Sequence, residues 1–246
     1  MRIAIIGYGK MGKEIERISI LSGHEIGLIT DSSFHGNLIE ALQSCDVAIE
    51  FTGPETARQN VLSCIEAGIP VVCGSTGWTS SLSEIRDYCI KKNGSFFYAS
   101  NFSIGVNILF AINDMLATMM NGLPEYRASI EEIHHIMKKD APSGTAIHLA
   151  TEILKNHHGL QKWKLIDSKD LQEPSKSDLP ITAIRSDDVP GTHTIAYTSS
   201  VDRIEIKHTA FNREGFAKGA LAAARWMIGK KGCFEMKDML QLQQHI

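Results

Sequence analysis

The feature of this sequence that most restricts its fold is a short apolar run that leads directly into a glycine-rich turn. Residues 3–6 are all apolar, as in a parallel strand that is covered on both faces. They are followed by Gly7-Tyr8-Gly9-Lys10-Met11-Gly12 and then by a helical pattern. Glycines at this spacing permit a tight turn, close approach of the backbone to a pyrophosphate and close helix–strand packing. The sequence therefore predicts a dinucleotide-binding β-α-β unit in which residues 7–12 contact the phosphates.

The first hundred residues alternate short apolar runs with helical patterns, which is typical of a parallel sheet with crossover helices. Further strands are predicted over residues 26–30, 46–51, 71–73 and 95–99. Helices are predicted after Gly12 and over residues 56–67 and 79–92, where apolar residues recur at helical spacing. The chain is therefore expected to be an α/β protein with a Rossmann-type parallel sheet.

The pattern changes after Asn101. Ile104, Ile108, Ile112 and Met115 form a helical stripe that is expected to lead into a second domain. The later strands alternate, as in residues 204–208, which is typical of a mixed or antiparallel sheet with one solvated face. A final helix is predicted over residues 215–229, and its spacing alone does not decide which domain it joins.

Asp31 stands at the end of the second predicted strand, where a carboxylate can accept hydrogen bonds from both adenosine ribose hydroxyls. No Arg or Lys follows nearby to bind a 2′-phosphate, so the sequence favours NADH over NADPH. The alternative is a solvated turn aspartate that precedes Ser32 and Ser33.

Two further loops follow predicted parallel strands, at the edge of the sheet where ligands bind such folds. Gly74-Ser75-Thr76-Gly77 follows the fourth strand, and Ala99-Ser100-Asn101-Phe102 follows the fifth. Their small polar residues are candidates for contacts to the nicotinamide ribose and carboxamide, and Phe102 is a candidate to pack on the ring. The alternative is that both loops are only tight strand-to-helix turns.

Chemically reactive side chains are concentrated in residues 132–146, which begin as a strand and end as a helix. Pro142-Ser143-Gly144-Thr145 lies at the predicted helix start, so Ser143 can cap the helix and the next amide groups can bind an anion. Lys138 and Lys139 add positive charge upstream. The segment is suited to a small substrate with more than one carboxylate.

His134 and His135 are adjacent, so they point to opposite faces unless the strand has already ended. A metal site is not predicted, because no nearby Cys, Asp or Glu completes a ligand set at a familiar spacing. A lone histidine is more often structural than catalytic. Beside a lysine and an anion site, an acid or anion-binding role is favoured.

Composition argues against several other classes of protein. The 246 residues carry 25 Lys+Arg and 28 Asp+Glu, so the net charge of −3 favours neither nucleic acid nor an anionic membrane. No apolar run is long enough for a membrane span or a signal peptide, and the expected location is the cytoplasm. The five cysteines include no Cys-x-x-Cys pair, which disfavours a disulfide framework or a zinc ribbon.

Together these motifs resemble those of the dihydrodipicolinate reductase family, also called 4-hydroxy-tetrahydrodipicolinate reductases, over essentially the whole chain. The most specific part reads His134-His135-x-x-Lys138-x-Asp140-Ala141-Pro142-Ser143-Gly144-Thr145-Ala146. The glycine-rich loop, residues 74–76 and residues 99–102 resemble the dinucleotide contacts of the family. Gly191-Thr192-His193 and His208-x-x-x-x-Arg213, with Gly215 and Phe216, fit the later part of the pattern.

The resemblance implies a dinucleotide-binding domain of residues 1–103 and 214–246, and a mixed-sheet domain of residues 104–213 that binds substrate and forms a homotetramer. It implies NAD(P)H-dependent reduction of (2S,4S)-4-hydroxy-2,3,4,5-tetrahydrodipicolinate to tetrahydrodipicolinate with loss of water, in lysine and diaminopimelate biosynthesis. Many members carry an arginine where this chain has Ser32, which is a further reason to expect NADH.

The resemblance also implies roles for single residues. His134 would be the proton donor or acceptor, and Lys138 the second donor. Substrate carboxylate would be bound by His135, Gly144 and Thr145. Two other functions remain open: a Rossmann-type reductase of another small acid, such as an aspartate dehydrogenase-like protein, and a non-catalytic NADH sensor.

Overall fold

The computed structural model describes residues 1–166, 174–212 and 214–242. The chain divides into two compact units: Met1–Ile104 together with the segment that begins at Glu214, and Gly105–Arg213. No helix within the described ranges combines the length and the apolar character that crossing a bilayer requires.

The first unit contains a six-stranded sheet in which every neighbouring pair is parallel. Its strands are β1 (Arg2–Ile6), β2 (Glu25–Thr30), β3 (Val47–Glu50), β4 (Val71–Cys73), β5 (Ser95–Tyr98) and β11 (Gly232–Phe234). They lie in the order β11-β5-β4-β3-β1-β2. This is the arrangement of a doubly wound α/β fold, because the chain runs outward from β1 in both directions.

The helices of this unit are α1 (Lys10–Leu21), α2 (Leu38–Leu42), α3 (Pro54–Glu66), α4 (Leu82–Lys91), α7 (Glu214–Met227) and α8 (Met236–Met239), with a 3₁₀ turn over Thr79–Ser81. They cover both faces of the sheet. Ile3 and Ile5 join the core that contains α1 and α7, whereas the alternate residues Ala4 and Ile6 join the core that contains α3 and α4. Burial on both faces explains the uninterrupted apolar character of β1.

Helix α7 packs closely against this sheet because its contact face carries small residues. Ala217, Ala220 and Ala224 are fully buried. A Cβ on Gly219 would lie 1.8 Å from the carbonyl oxygen of Phe102, so no larger residue fits there without a shift of the backbone. The structure thus places α7 in the first unit, whereas the spacing of its apolar residues alone did not decide between the two domains.

Most predicted elements of this unit are confirmed within one or two residues of their ends, but one helix start is corrected and three short elements, α2, β11 and α8, were not predicted. Helix α1 begins at Lys10 rather than after Gly12, since Gly9 is already the N-cap residue. Helix α2 was not predicted, because five residues offer too few apolar repeats to show a helical period. Asn37 starts it by accepting a hydrogen bond from the backbone N–H of Ile39 at 3.1 Å.

The second unit contains a five-stranded mixed sheet in the order β10-β9-β6-β8-β7. Its elements are α5 (Ile104–Met120), β6 (Arg127–His134), α6 (Gly144–Asn156), β7 (Lys162–Ile166), β8 (Asp178–Arg185), β9 (Gly191–Thr198) and β10 (Arg203–Ala210). Strand β6 is parallel to β8 and antiparallel to β9. The predicted fold class, a Rossmann-type parallel sheet together with a mixed-sheet domain, is confirmed.

One face of the mixed sheet packs on α5 and α6, in a core that contains Leu109, Leu149 and Ile181. The apolar stripe predicted for α5 is not the stripe that this core uses. Ile108 and Ile112 are 42% and 43% exposed, whereas Leu109 and Ala117 are buried. Helix α5 therefore has apolar residues both on the side that packs into the core of the second unit and on its exposed side.

Candidate active site

The glycine-rich loop has the geometry that a dinucleotide site requires. Gly7 has φ +97°, and a Cβ there would lie 2.3 Å from the carbonyl oxygen of Phe51. A Cβ on Gly12 would lie 2.1 Å from the carbonyl oxygen of Gly7, whereas no atom lies within 4 Å of the place that a Cβ of Gly9 would take. Two glycines thus permit the turn and the third leaves the backbone open at the start of α1.

The side chains of this loop are engaged to different degrees. The Tyr8 hydroxyl donates a hydrogen bond to Glu16, and the ammonium group of Lys13 lies 5.7 Å from the centre of the Tyr8 ring. Met11 packs against the sheet core, whereas Lys10 is exposed. Lys10 therefore adds positive charge next to the free amide groups at the start of α1.

The direction of winding reverses between β1 and β3, and folds of this kind bind their ligands at the carboxyl ends of the strands on either side of that point. Glu50 ends β3 and is fully buried there. Its carboxylate accepts hydrogen bonds from the backbone N–H of Thr52 at 3.1 Å and from the Cys73 thiol at 2.9 Å. The Ser75 hydroxyl accepts a second hydrogen bond from the Thr52 N–H at 2.8 Å. These contacts fix the turn that lies against Gly7.

Asp31 directly follows β2 and is exposed. Its carboxylate accepts hydrogen bonds from the backbone N–H of Ser33 at 2.8 Å and from the Ser33 hydroxyl at 2.6 Å. These bonds hold the pKa of Asp31 below its ordinary value. Asp31 thus has the geometry of a turn aspartate, which was the alternative to a cofactor-binding role. Its exposed, ionised carboxylate is still able to accept hydrogen bonds from ribose hydroxyls.

The loop after β4 lies against the turn after β3, because a Cβ on Gly74 would come within 2.2 Å of the Phe51 ring. Ser75 is buried, and Thr76 is exposed.

The loop after β5 combines a buried and an exposed part. Ala99 is buried and Ser100 is exposed, while the Asn101 side chain accepts a hydrogen bond from the backbone N–H of Ser103 at 2.8 Å. Phe102 is only 2% exposed, and its ring centre lies 5.9 Å from that of Phe97. The expectation that the Phe102 ring packs on nicotinamide is therefore wrong, because the ring belongs to the core of the sheet.

In the second unit, strand β6 brings His134 to the buried face of the mixed sheet. Its residues alternate, so that Ile130, Glu132 and His134 are buried while Glu131 is exposed. The strand ends at His134, and the partly exposed His135 begins the turn that follows. Adjacent residues point to opposite faces only within a strand. Because only His134 belongs to β6, this rule does not fix the direction of His135.

Glu132 lies at the centre of this site and is fully buried. Its carboxylate accepts hydrogen bonds from the backbone N–H of Ser143, at 3.0 and 3.1 Å to the two oxygens, and from Arg185 at 3.2 Å. His134 Nδ1 lies 3.5 Å from Oε2 of Glu132, and His193 Nε2 lies 3.8 Å from the same atom. One carboxylate thus contacts or approaches groups from three strands and from the start of α6.

The turn that carries Lys138 is held by the same arginine. The Arg185 guanidinium donates hydrogen bonds to the carbonyl oxygens of Lys138 at 3.3 Å and of Asp140 at 2.6 Å. The Lys138 ammonium group forms an ion pair with the Asp140 carboxylate at 2.7 Å, which lowers the pKa of that carboxyl group. Lys138 is therefore anchored at both its backbone and its side chain.

The start of α6 has the predicted cap. Ser143 is the N-cap residue, and its hydroxyl accepts a hydrogen bond from the backbone N–H of Ala146 at 3.2 Å. Gly144 is exposed, and no atom lies within 4 Å of the position that its Cβ would take. Thr145 is partly exposed. The start of this 13-residue helix is therefore open at Gly144, which suits an anion site at its first amide groups.

Burial controls the charge of the two histidines at this site. It lowers the pKa of His134, against the opposing effect of Glu132, and it lowers the pKa of His193 to about 3. The Nδ1 atoms of both rings are buried without a hydrogen-bond partner among the described residues. His193 Nε2 lies 3.1 Å from the Ser143 hydroxyl.

The prediction of no metal site assumed that no nearby acid accompanies the histidines, and this assumption is wrong. An acid does lie near the histidines, because donor atoms of Glu132, His134 and His193 all fall within 4.8 Å of one another. The carboxylate in this group already accepts hydrogen bonds from Arg185 and from the backbone of Ser143.

Sequence reasoning assigned no role to Glu132, Arg185, His193 or Glu50. Glu132 had a local signal, because a charged residue two positions before His134 shares its face of the strand. Arg185 had none, and His193 had only its place in the Gly191-Thr192-His193 part of the family pattern. Both are brought to Glu132 by pairing of β6 with β8 and β9. Arg213, which belongs to the pattern described above, lies outside the described residues.

A parallel sheet with an open glycine-rich loop, together with a second unit that presents a buried histidine, a lysine and free helix amides, defines a dinucleotide-dependent Rossmann-type oxidoreductase. Family models support a narrower assignment. The model for the dihydrodipicolinate reductase N-terminus matches residues 1–102, and the model for the C-terminus of the same enzyme matches residues 105–240. The chain belongs to the dihydrodipicolinate reductase family.

Individual relatives agree with this assignment. The chain is 46% identical over 240 residues to a 4-hydroxy-tetrahydrodipicolinate reductase of Christiangramia forsetii, with 98% of each protein covered. It is 36% identical to the Chromobacterium violaceum reductase of the same name, covering 91% of this chain and 82% of that protein. A dipicolinate-bound dihydrodipicolinate reductase from Paenisporosarcina shares the fold, with a TM-score of 0.76, 22% identity, and 97% and 98% of the two chains covered.

These comparisons confirm the family predicted from the sequence motifs, and they confirm that the chain is an NAD(P)H-dependent reductase.

Proposed function

We propose that this chain reduces (2S,4S)-4-hydroxy-2,3,4,5-tetrahydrodipicolinate to tetrahydrodipicolinate in lysine and diaminopimelate biosynthesis. The reaction consumes NAD(P)H and one proton and releases NAD(P)⁺ and water. The observation that carries this proposal is the grouping of His134, Lys138 and the open N-terminus of α6 around one end of β6. A cyclic dicarboxylate is a substrate of matching chemistry, since it needs both anion-binding groups and a proton donor.

We assign dinucleotide binding to residues 1–103 and 214–246, and substrate binding to residues 104–213. In the first domain, the amide groups of residues 7–12 would bind the pyrophosphate. Residues 74–76 and 99–101 would line the nicotinamide half of the cofactor, whereas the ring of Phe102 lies in the core of the sheet. Bound NADH supplies the hydride.

In the second domain, His134 would be the proton donor or acceptor and Lys138 the second donor. After water has left, hydride addition develops negative charge toward the ring nitrogen and carboxylate. Fixed cationic and N–H groups stabilise that charge best when they are already in place. The ion pair with Asp140 and the bonds from Arg185 hold the Lys138 turn in this way.

One substrate carboxylate would bind at the N-terminus of α6, where Gly144 and Thr145 offer backbone N–H groups. His135 would contribute from the turn after β6. The Ser143 cap and the Glu132 bond to the Ser143 N–H fix this helix end, so the anion site does not need to be organised when substrate arrives.

NADH is the proposed preference, because Asp31 would accept hydrogen bonds from the ribose hydroxyls and would repel a 2′-phosphate. The exposed, ionised carboxylate and the uncharged neighbour Ser32 support this assignment. The variant Asp31→Ala is expected to weaken NADH binding more than NADPH binding, measured by cofactor fluorescence. Equal losses for both cofactors would leave Asp31 as a turn residue only.

We also propose that the protein is a cytoplasmic homotetramer that binds neither nucleic acid nor membrane. Glu131 and Thr182 are exposed on one face of the mixed sheet, and Ile108 and Ile112 are exposed on α5, which supports assembly through the second domain. Light scattering coupled to size-exclusion chromatography tests the assembly, and a monomer at micromolar concentration would contradict it.

The central test is a coupled assay in which freshly generated condensation product of aspartate semialdehyde and pyruvate is supplied with NADH or NADPH. Turnover is followed by nucleotide absorbance. His134→Gln and Lys138→Ala are each expected to lower kcat strongly with little change in NADH affinity. Near-normal turnover in both variants would remove these residues from the mechanism.

A panel of small amino and keto acids is the control for the assay. Turnover of such an acid without turnover of the cyclic substrate would favour another Rossmann-type reductase. Binding of NADH without any turnover would favour a sensor.

A further inference from the structure

We propose that Glu132 is a positioning residue that holds the His134 ring with its proton on Nδ1, so that Nε2 is the nitrogen that exchanges a proton with substrate. This inference rests on the function proposed above and adds a residue and an atom to it. Glu132 would act through His134 and would not touch the substrate.

The first argument is the burial of the carboxylate. Glu132 has no exposed surface, and Arg185 is the cation that contacts it, with 20% of that side chain exposed. A buried ion pair gives little or no net stability compared with apolar residues of similar volume. An apolar residue at this position would complete the strand's alternation equally well, so packing alone does not account for a glutamate here.

The second argument is the direction of the two ring nitrogens of His134. Nδ1 is buried, has no hydrogen-bond partner among the described residues, and lies 3.5 Å from Oε2 of Glu132. Nε2 points toward Gly191, where a Cβ would lie 3.1 Å from it. A side chain at position 191 would lie against this nitrogen, and the glycine there has none.

The third argument is the electrostatic preference between the two neutral forms of the ring. With its proton on Nε2, His134 would direct the Nδ1 lone pair at the carboxylate, which is unfavourable. With its proton on Nδ1, the ring directs an N–H at the same oxygen. The separation is long for a hydrogen bond, but such contacts commonly shorten once substrate is bound.

The consequence for the reaction is a defined direction of proton transfer. When doubly protonated, His134 would give the Nε2 proton to substrate and keep the Nδ1 proton, whose position Glu132 stabilises. An acid that orients the base in this way is a recurrent feature of histidine catalysis.

Other charged groups also act on this histidine and have to be distinguished from Glu132. Those that face His134 are Glu132 from β6, Arg185 from β8, His193 from β9, and Lys138 and Asp140 from the following turn. Glu132 and Asp140 favour the charged ring, whereas Lys138, Arg185 and burial oppose it. Removing the Glu132 charge is therefore expected to lower the pKa of His134 further.

The test compares Glu132→Gln with the matched control Glu131→Gln. Both substitutions remove one negative charge from β6, but Glu131 is exposed on the opposite face. The rate of His134 carbethoxylation by diethyl pyrocarbonate is measured against pH, with His134 resolved from His135 by peptide mass spectrometry. The midpoint is expected to fall by about one pH unit in Glu132→Gln and to stay unchanged in Glu131→Gln.

Turnover gives a second, independent readout. In Glu132→Gln, the limb of the pH profile of kcat/KM that reports His134 is expected to shift in the same direction, with kcat reduced at least tenfold and NADH binding unchanged. An unshifted midpoint in Glu132→Gln, or an equal shift in Glu131→Gln, would overturn the inference.

Two further variants separate this role from a purely structural one. Arg185→Lys keeps the positive charge but loses the planar guanidinium group that bonds the carbonyl oxygens of Lys138 and Asp140. The KM for substrate should therefore rise, while the midpoint of His134 modification should stay unchanged. Glu132→Asp keeps the charge but withdraws it by one methylene group. If Glu132→Gln does not fold, the aspartate variant decides: a partial downward shift of the midpoint is expected, and an unchanged midpoint would refute the role.

The chemical modification readout does not depend on turnover. If the wild-type protein does not reduce the cyclic substrate, the proposed function fails, whereas the comparison of Glu132→Gln with Glu131→Gln still decides whether Glu132 controls His134.

Discussion

Loss of stability in mild acid follows from the burial of His193. This side chain is 4% exposed on β9, and burial lowers its pKa to about 3 in the folded protein, against 6.5 for an ordinary histidine. The folded state therefore keeps the ring neutral, while the unfolded chain takes up a proton as the pH falls below 6.5. The stabilisation is fully present above that value and is lost progressively as the pH falls toward 3.

The magnitude at pH 5 follows from the position of the unfolded pKa. That pH lies one and a half units below 6.5, and each unit is worth about 1.4 kcal/mol. Relative to pH 8, His193 is thus expected to remove about 2 kcal/mol from the free energy of unfolding. The result changes little with the folded pKa as long as that pKa lies below about 4, because the folded ring is then almost unprotonated at pH 5.

Urea unfolding followed by far-UV circular dichroism at pH 8 and pH 5 measures this loss in the wild type and in His193→Gln. The variant is expected to lose about 2 kcal/mol less than the wild type between the two pH values, whatever its stability at pH 8. His158→Gln, which replaces an exposed histidine in the turn after α6, is the control and should match the wild type. If His193→Gln loses as much stability as the wild type, the neutral buried ring is not the cause.

Four further outcomes are expected. Gly219→Ala should destabilise the protein by more than about 2 kcal/mol in thermal unfolding, because its Cβ would lie 1.8 Å from the Phe102 carbonyl oxygen. Gly9→Ala, whose Cβ would have no atom within 4 Å, should destabilise the protein less, by about 1 kcal/mol from the poorer N-cap of α1. It should nevertheless bind NADH several-fold more weakly in a fluorescence titration. Ser143→Ala removes the cap of α6 and should lower the free energy of unfolding by about 1 kcal/mol, measured in urea, with a higher KM for the cyclic substrate. In native protein at pH 8, the thiol reagent DTNB should label Cys233 first, because this residue is partly exposed and a hydrogen bond with the Cys89 thiol lowers the pKa of Cys233. The other four cysteines are buried and should react only after denaturation.

The local parts of both sites could be predicted because their signals lie within a few residues. Gly7 and Gly12 mark a turn between a strand and a helix, and Ser143 marks a helix start by its own hydroxyl. The same kind of reasoning failed for Phe102. A loop position after a parallel strand looks accessible in the sequence, but the contact between α7 and the end of β5 buries the ring.

The surroundings of His134 depend on pairings that no local pattern reveals. In the sheet register, Glu132 lies opposite His193 across the antiparallel pair, and His134 lies beside Arg185 across the parallel pair. A shift of one residue in either pairing would turn these side chains to the other face of the sheet. Their proximity is therefore a property of the register and not of any motif.

The sequence by itself determined the strand–glycine loop–helix unit, the alternation that distinguishes the two sheets, and the cap of α6, because each depends on residues within about one helical turn or one strand. Only the tertiary structure decided which charge lies beside the buried histidine, which apolar stripe of α5 enters the core, and which loop side chains stay accessible. Those outcomes depend on the packing of segments that are far apart in the chain, and the hydrophobic pattern constrains that packing without specifying the partners.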